Sequence, residues 1–384
     1  MPQPSVFKLF REQLNPPPLI RADLTGKTTI VIGANIGIGL EASKHLARMN
    51  PGRLILACRN KEKGESALAE IKKETNCETL ELWLIDLSSF ASVISFADKF
   101  EQDGGRLDAV LFNAAILETY LDYTADGWNS SYQINYMSSS LLGLLLLPRL
   151  LETAERYNTT PRMAYVSSGL HYFVKFDSKT VDASNALRLF GHKDHIAARL
   201  SKKTYPGRDA YNETKLMSVF FTRALNSMLH KKPIIIMQVD PGNSKSAIGR
   251  NESAWLLRII FALLYNTIAR TAEEGSRSLV WAIVGGEEKR DELRGAFIST
   301  VAKVDETSDY AVSKEGSVAQ DKLWVSLCSR FSTCVPTLLT MRVGWFNQNN
   351  LIEELTNIEP RVQRIVQEHL TPHSRDARFE ETVR

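Results

Sequence analysis

Residues 27–46 read KTTIVIGANIGIGLEASKHL. After Lys27 come five residues that are all β-branched (Thr28 to Ile32), with no polar–apolar alternation. That pattern suits a strand buried on both faces. Gly33-Ala34-Asn35-Ile36-Gly37-Ile38-Gly39 follows, and from Leu40 onward the apolar residues recur at helical spacing. Glycine is required where a chain turns sharply after a strand and where its backbone must approach a bulky anion. The helix beyond the turn offers free N–H groups and a partial positive charge. Strand, G-x-x-x-G-x-G bend and helix therefore predict a diphosphate cradle lined by Gly33, Asn35, Gly37, Ile38 and Gly39. An ordinary tight turn can carry the same glycines, so the surrounding chain has to support the reading.

It does. Short apolar runs occur at 53–59 (RLILACR), 80–87 (LELWLIDL), 107–114 (LDAVLFNA), 162–168 (RMAYVSS), 233–239 (PIIIMQV) and 296–300 (AFIST). Helical spacing occupies 40–49, 62–74, 89–102, 125–157, 209–229 and 272–284. Pro148 is expected to kink or end the fourth of these. Alternating strands and helices predict right-handed βαβ crossovers and an α/β fold, a doubly wound parallel sheet with helices on both faces. One main domain is expected over 24–342. A leader containing Pro16-Pro17-Pro18 occupies 1–23. Residues 343–384 form a tail with one helix at 357–369 and a frayed charged end. The polar stretch 171–208 reads as an insertion.

Composition narrows the function. The 384 residues are 43% hydrophobic and 24% charged, with a net charge of +3. That balance, with no basic stripe, argues against a nucleic-acid partner. Cys58, Cys77, Cys328 and Cys334 form no C-x-x-C and have no histidine at metal-ligand spacing. They read as reduced thiols in a cytoplasmic protein, with no metal site. The N-terminus lacks the apolar core of a signal peptide. The apolar run 141–147 is too short to span a bilayer, and 255–268 is interrupted by Arg258 and Asn266, so no transmembrane segment is expected.

The second strand ends Ala57-Cys58-Arg59, where NAD binders usually place an acid for the ribose 2′-hydroxyl. Arg59 instead offers a fork of donors for a 2′-phosphate, which favours NADP(H). Asp86, after the third strand, reads either as an acceptor for the adenine amino group or as a helix cap with Ser88 and Ser89. Small residues after Asn113 let backbone approach the cofactor. Tyr211-Asn212-Glu213-Thr214-Lys215 places a phenol and an ammonium four residues apart on one helix face. A nearby ammonium favours phenolate and lowers a tyrosine pKa from its usual value of about 10. Such a pair can exchange a proton with a carbonyl oxygen while hydride moves at carbon.

Taken in order, the Gly33–Gly39 loop, Asp86, Asn113-Ala114-Ala115, Ser168, Tyr211 with Lys215, and Pro241-Gly242 with Ser246 resemble the short-chain dehydrogenase/reductase family, a Rossmann fold. The resemblance spans about 24–300. It implies that Tyr211 is the general acid/base and that Lys215 lowers its pKa and bonds the nicotinamide ribose. Ser168 would hold the substrate oxygen, with Ser167 as the rival. Asn135 would hold a relay water, and Pro241, Gly242 and Ser246 would lie beside the nicotinamide. Two features depart from the family: Ile32 stands where threonine is usual, and the gap from Ser168 to Tyr211 is much longer. The inserted 171–208 is expected to form a flap or rim near the substrate entrance, with Tyr172, Phe173 and Phe176 either touching substrate or packing the flap down. Residues 53–60 (RLILACRN) and 270–275 (RTAEEG) are most similar to the retinol-dehydrogenase-like branch. Its fungal members have a similar leader, and many act in secondary-metabolite biosynthesis.

Residues 254–270 (AWLLRIIFALLYNTIAR) are apolar. Within the region 243–271 they read as a substrate lid suited to a lipophilic small molecule, with a membrane surface or a homodimer contact as the other coverings. The rival to an enzyme is a non-catalytic dinucleotide-binding sensor or scaffold, which has no need of Ser168, Tyr211, Lys215 and Asn135 together. An epimerase or dehydratase of this fold would carry different glycine spacing.

Overall fold

The computed structural model describes residues 4–184, 186–229, 231–245, 269–324 and 351–370. The apolar runs become β1 (Thr28–Ile32), β2 (Arg53–Cys58), β3 (Leu80–Leu84), β4 (Ala109–Phe112), β5 (Arg162–Val166), β6 (Ile235–Val239) and β7 (Phe297–Ile298). They are parallel in the order β3-β2-β1-β4-β5-β6-β7. A short β8 (Val304–Asp305), absent from the sequence expectation, pairs antiparallel with β7.

The strands read as solid apolar runs because each feeds two cores. Ile30, Ile55, Val110, Met163 and Ile236 face one side of the sheet. Val31, Leu54, Leu111, Ala164 and Met237 face the other. This is the strand period of two, with apolar residues in both phases.

Several helices follow expectation. They are α2 (Gly37–Ala47), α3 (Lys61–Thr75), α4 (Phe90–Asp103) and the long helix made of α5 (Ser130–Tyr132), a π-helical turn (Gln133–Met137) and α6 (Ser138–Tyr157). Pro148 does not end α6, which runs on to Tyr157. The helix is apolar because Leu141, Leu142, Leu144, Leu147 and Leu150 are fully buried against the sheet.

Three expectations change. The insertion is no flap: α7 (Ser178–Asp182), α8 (Ala186–Gly191) and α9 (Lys193–Arg199) bury Phe176, Val181, Leu187, Phe190 and Ile196 in the first core. They precede α10 (Pro206–Met228). The second core takes α11 (Ala272–Val284). Beyond it lie α12 (Asp309–Val312) and α13 (Lys314–Trp324), the latter on the 313–324 run. The charged end of the tail, 371–384, lies outside the described residues. The tail's expected helix is two, α14 (Leu351–Ile358) and α15 (Arg361–His369), parted at Pro360. Leu351, Leu355, Val362 and Val366 join the first core, and Glu354 pairs bidentately with Arg188 of α8 at 2.6 and 2.9 Å.

The leader, expected to lie outside the domain, carries α1 (Val6–Gln13), capped by Ser5. It docks because Arg270 donates to the carbonyls of Glu12, Gln13 and Asn15 at and just past the helix end.

Candidate active site

Every expected site residue within the described part sits at the carboxyl end of the sheet, where the strand order reverses between β1 and β4. Gly33 has φ +84° and Gly37 φ +62°, backbone that L side chains rarely adopt. A Cβ on Gly33 would lie 2.9 Å from Ala114, and one on Gly39 would overlap the Gly33 carbonyl and the Asn113 amide. Asn113 Nδ2 donates to that carbonyl at 2.9 Å, and Gly33 N–H donates to Ala57 at 2.7 Å. The bend is thus fastened to strands on both sides, although Ile32 supplies no hydroxyl. Ile36 gives α2 no side-chain cap. The N–H groups of Gly37, Ile38 and Gly39 meet no acceptor among the described residues, and they are the donors a diphosphate uses. Asn35 is half-buried at the turn.

Arg59 is exposed, and its side chain forms no hydrogen bond or ion pair with the described residues. Asp86 does not cap α4; Ser89 does. Its Oδ1 closes a turn by accepting from the N–H and hydroxyl of Ser88 at 2.9 and 2.6 Å.

Tyr211 and Lys215 share a face of α10 and are 5% and 3% exposed. Lys215 Nζ lies 5.4 Å from the Tyr211 ring centroid and donates to the Val166 carbonyl at the end of β5, 2.7 Å away. Ser168 follows that strand, and its hydroxyl lies beside the Tyr211 phenol, where it works to lower the phenol's pKa. Ser167 points elsewhere: it is buried, and its hydroxyl has no partner among the described residues. Burial brings Lys215 down to about 8, opposed by the charge of Asp240. The expected depression of Tyr211 does not appear. Burial lifts the phenol well above its usual range, Ser168 pulling it back and Asp240 adding to the rise.

Asn135 sits in the π-helical turn. Its side chain accepts from Ile116 N–H at 2.8 Å and donates to Ile116 carbonyl at 2.9 Å. The amide therefore clamps the loop after β4. Pro241 and Gly242 follow β6, while Ser246 and most of the lid region, 246–268, fall outside the described residues. Of the insertion aromatics, Tyr172 and Phe176 are buried, and Phe173, 68% exposed, faces solvent.

The sequence reading overlooked three groups. Asp240, directly before Pro241, is buried under the cluster; an acid ending an apolar strand was its signal. Gln13 of α1 clamps the backbone of Asn243, giving and accepting bonds of 2.8 Å. His171 donates from Nδ1 to the Ser168 carbonyl at 2.7 Å and stacks against Tyr172 and Phe297.

Burial holds the His171 imidazole down to about 4, so it is neutral in the fold. Its unfolded value is about 6.5, so the unfolded chain binds the extra proton first as pH falls. Stability should be intact above about 6.5 and decline as pH drops toward 4, by roughly 3 kcal/mol from this group. Chemical denaturation of wild type and His171→Gln at several pH values checks this. An equally steep acid decline in the variant would assign the loss to other groups.

A family model described as short chain dehydrogenase matches residues 27–157. The short chain dehydrogenase sol3 of Alternaria solani is 34% identical over 261 residues, 67% of this chain and 85% of that protein. The chain belongs to the short-chain dehydrogenase family. This short-chain dehydrogenase is also 32% identical to anuD of Penicillium roqueforti over 328 residues, 83% of this chain and 81% of the relative. Among solved structures, the NADPH-bound carbonyl reductase from chicken fatty liver superposes with a TM-score of 0.52 at 19% identity. It covers 74% of this short-chain dehydrogenase and 100% of its own chain, a likeness of fold.

Proposed function

We propose that this short-chain dehydrogenase is an NADP(H)-dependent oxidoreductase that reduces a carbonyl, or oxidises an alcohol, of a lipophilic small molecule. The observation that carries the proposal is the convergence of half-buried Ser168 with buried Tyr211 and Lys215 at the end of β5. The cradle fits a dinucleotide. Its glycines leave no room for a Cβ at 33 or 39, and three N–H groups at the start of α2 are free for a diphosphate. Arg59 would pair with the 2′-phosphate, Asp86 through its second oxygen with the adenine, and Asn113, Pro241, Gly242 and Ser246 would border the ring end. When bound, the dinucleotide supplies or accepts the hydride.

The chain's own residues handle the oxygen. Ser168 and Tyr211 donate hydrogen bonds to it, and Tyr211 Oη gives up its proton as negative charge develops. A phenol kept protonated by burial is the form that donates, which favours the reductive direction near neutral pH. Lys215 supports the resulting phenolate and holds the ribose. Asn135 orders the loop through Ile116, and any relay water would rest on its backbone. Leu170 and Phe173 expose apolar side chains just past Ser168, which supports a lipophilic substrate. The fungal relatives support a place in secondary-metabolite biosynthesis, and the retinol-dehydrogenase-like branch rests on the stretches 53–60 and 270–275.

Titration with NADPH and NADH, followed by assay on a panel of apolar aldehydes and ketones, tests the reading. Arg59→Asp should weaken NADPH by about tenfold or more and leave NADH nearly unchanged. Equal loss of both removes the 2′-phosphate role. Tight binding without turnover of any carbonyl compound points to the scaffold instead.

A further inference from the structure

We propose that Gln13, in the leader helix α1, is a positioning residue whose side-chain amide holds the Pro241-Gly242-Asn243 loop in the shape that receives the nicotinamide end of the dinucleotide. This rests on the reading of that loop as the border of the nicotinamide.

Gln13 is the last residue of α1 and is buried. A primary amide carries a donor and an acceptor in one plane. Gln13 uses both on a single residue 230 positions along the chain. Its Nε2 donates to the Asn243 carbonyl, and its Oε1 accepts from the Asn243 N–H, each at 2.8 Å. The side chain pairs with Asn243 as the backbone of a neighbouring strand would. The amide also fills the space beside Gly242. That glycine has φ +72°, and a Cβ on it would lie 2.7 Å from Oε1. Gln13 therefore packs on both residues that follow Pro241, at the point where the backbone is left-handed.

The docking of α1 does not need this contact. Near its start the helix is tied to β8 by Lys8, whose Nζ lies 2.6 Å from Asp305. Its end is held by Arg270, which donates to the carbonyls of Glu12, Gln13 and Asn15. Any sequence supplies main-chain carbonyls, so these bonds persist whatever residue stands at position 13. The Gln13 side chain acts on the loop instead. Arg270 completes the frame, because its N–H donates to the Asn243 carbonyl at 2.9 Å and its carbonyl accepts from Lys245 N–H at 2.8 Å. The residue that seats α1 thus also seats the far side of the loop. Gly242 N–H donates to Asp240 Oδ1 at 2.8 Å. Without the Gln13 amide the loop keeps the anchors at Arg270 and Asp240, so it should shift and not unfold. A shift is costly at this place, since an error of about 1 Å in the approach of reacting atoms can slow a reaction about a hundredfold.

The test is calorimetric affinity for the reduced dinucleotide and for the same molecule without its nicotinamide: NADPH against 2′-phospho-ADP-ribose, or NADH against ADP-ribose. Both would fill the Gly33–Gly39 cradle, and only the first would reach the loop. Gln13→Met keeps the volume and removes both bonds. It should weaken the intact dinucleotide about tenfold and leave the fragment unchanged, the size expected from one or two lost hydrogen bonds. Gln13→Glu turns an oxygen toward the Asn243 carbonyl in place of the donor. It should show the same selective loss, and it decides the matter if Gln13→Met does not fold. A purely structural Gln13 would lower the melting temperature and move both affinities together, or neither; each of these results overturns the proposal. Gly242→Ala separates that failure from a failure of the underlying reading, because its Cβ meets Oε1 and strains a left-handed φ within the loop itself. If Gly242→Ala is selective for the intact dinucleotide and Gln13→Met is not, the glutamine is no positioning residue. If neither is selective, the loop does not border the nicotinamide, and the reading falls as well.

Discussion

Tyr211→Phe should lower kcat about a thousandfold while the affinity for reduced dinucleotide stays nearly unchanged. The substitution removes one oxygen and keeps a ring that is 5% exposed, so the packing around it has little reason to move. The lost oxygen is the proton donor and lies beside the Ser168 hydroxyl. Ser168 can still hold the substrate oxygen, but its hydroxyl is too weak an acid to replace a phenol, so residual turnover should be small rather than nil. Lys215→Met makes the contrast. It should reduce both turnover and dinucleotide affinity, because its ammonium is assigned to both. Single-turnover measurement of hydride transfer with a responsive aldehyde separates the two variants. Undiminished hydride transfer in Tyr211→Phe would remove the phenol from the chemistry.

The parts of this structure that were legible in the sequence share a physical property: their signal is local. Strands β1 to β6 sit inside mainly apolar runs because parallel strands within the sheet bury both faces, and the edge strand β3 alone carries an acid, Glu81, and an exposed Leu84. The pairing of Tyr211 with Lys215 follows from one helical turn. What escaped the sequence is held by distant partners. Helix α1 has only eight residues and is fixed by Arg270, far along the chain. The insertion looked polar because each of its three short helices contributes only one to three core side chains, such as Val181, Phe190 and Ile196. The proton affinity of Tyr211 was misjudged for a similar reason. Spacing reveals a lysine four residues away, whereas the depth of burial, which dominates here, belongs to the assembled fold.

Arg199→Met should cost about 3 kcal/mol of stability and leave kcat per folded molecule nearly intact. Arg199, at the end of α9, reaches Glu213 at 2.7 and 2.6 Å, and Glu213 lies within the Tyr211–Lys215 segment on another face of α10. The Tyr132 hydroxyl also donates to Glu213, and Arg199 donates to the carbonyls of Leu189 and Phe190. One guanidinium thus latches the insertion, α8 and the long core helix to the helix that carries the proposed acid. Removing it leaves a half-buried carboxylate with a buried phenol as its main partner, the costly outcome for an ion pair. The double variant Arg199→Met/Glu213→Leu should regain much of the loss, since it removes the stranded charge together with its partner. Denaturant midpoints for the two single variants and the double variant decide this. If the double variant is as unstable as the sum of the singles, the pair is not coupled and the insertion is held by its apolar side chains alone. If instead kcat collapses in Arg199→Met while the fold is retained, the insertion would have to be read as part of the catalytic machinery rather than as its support.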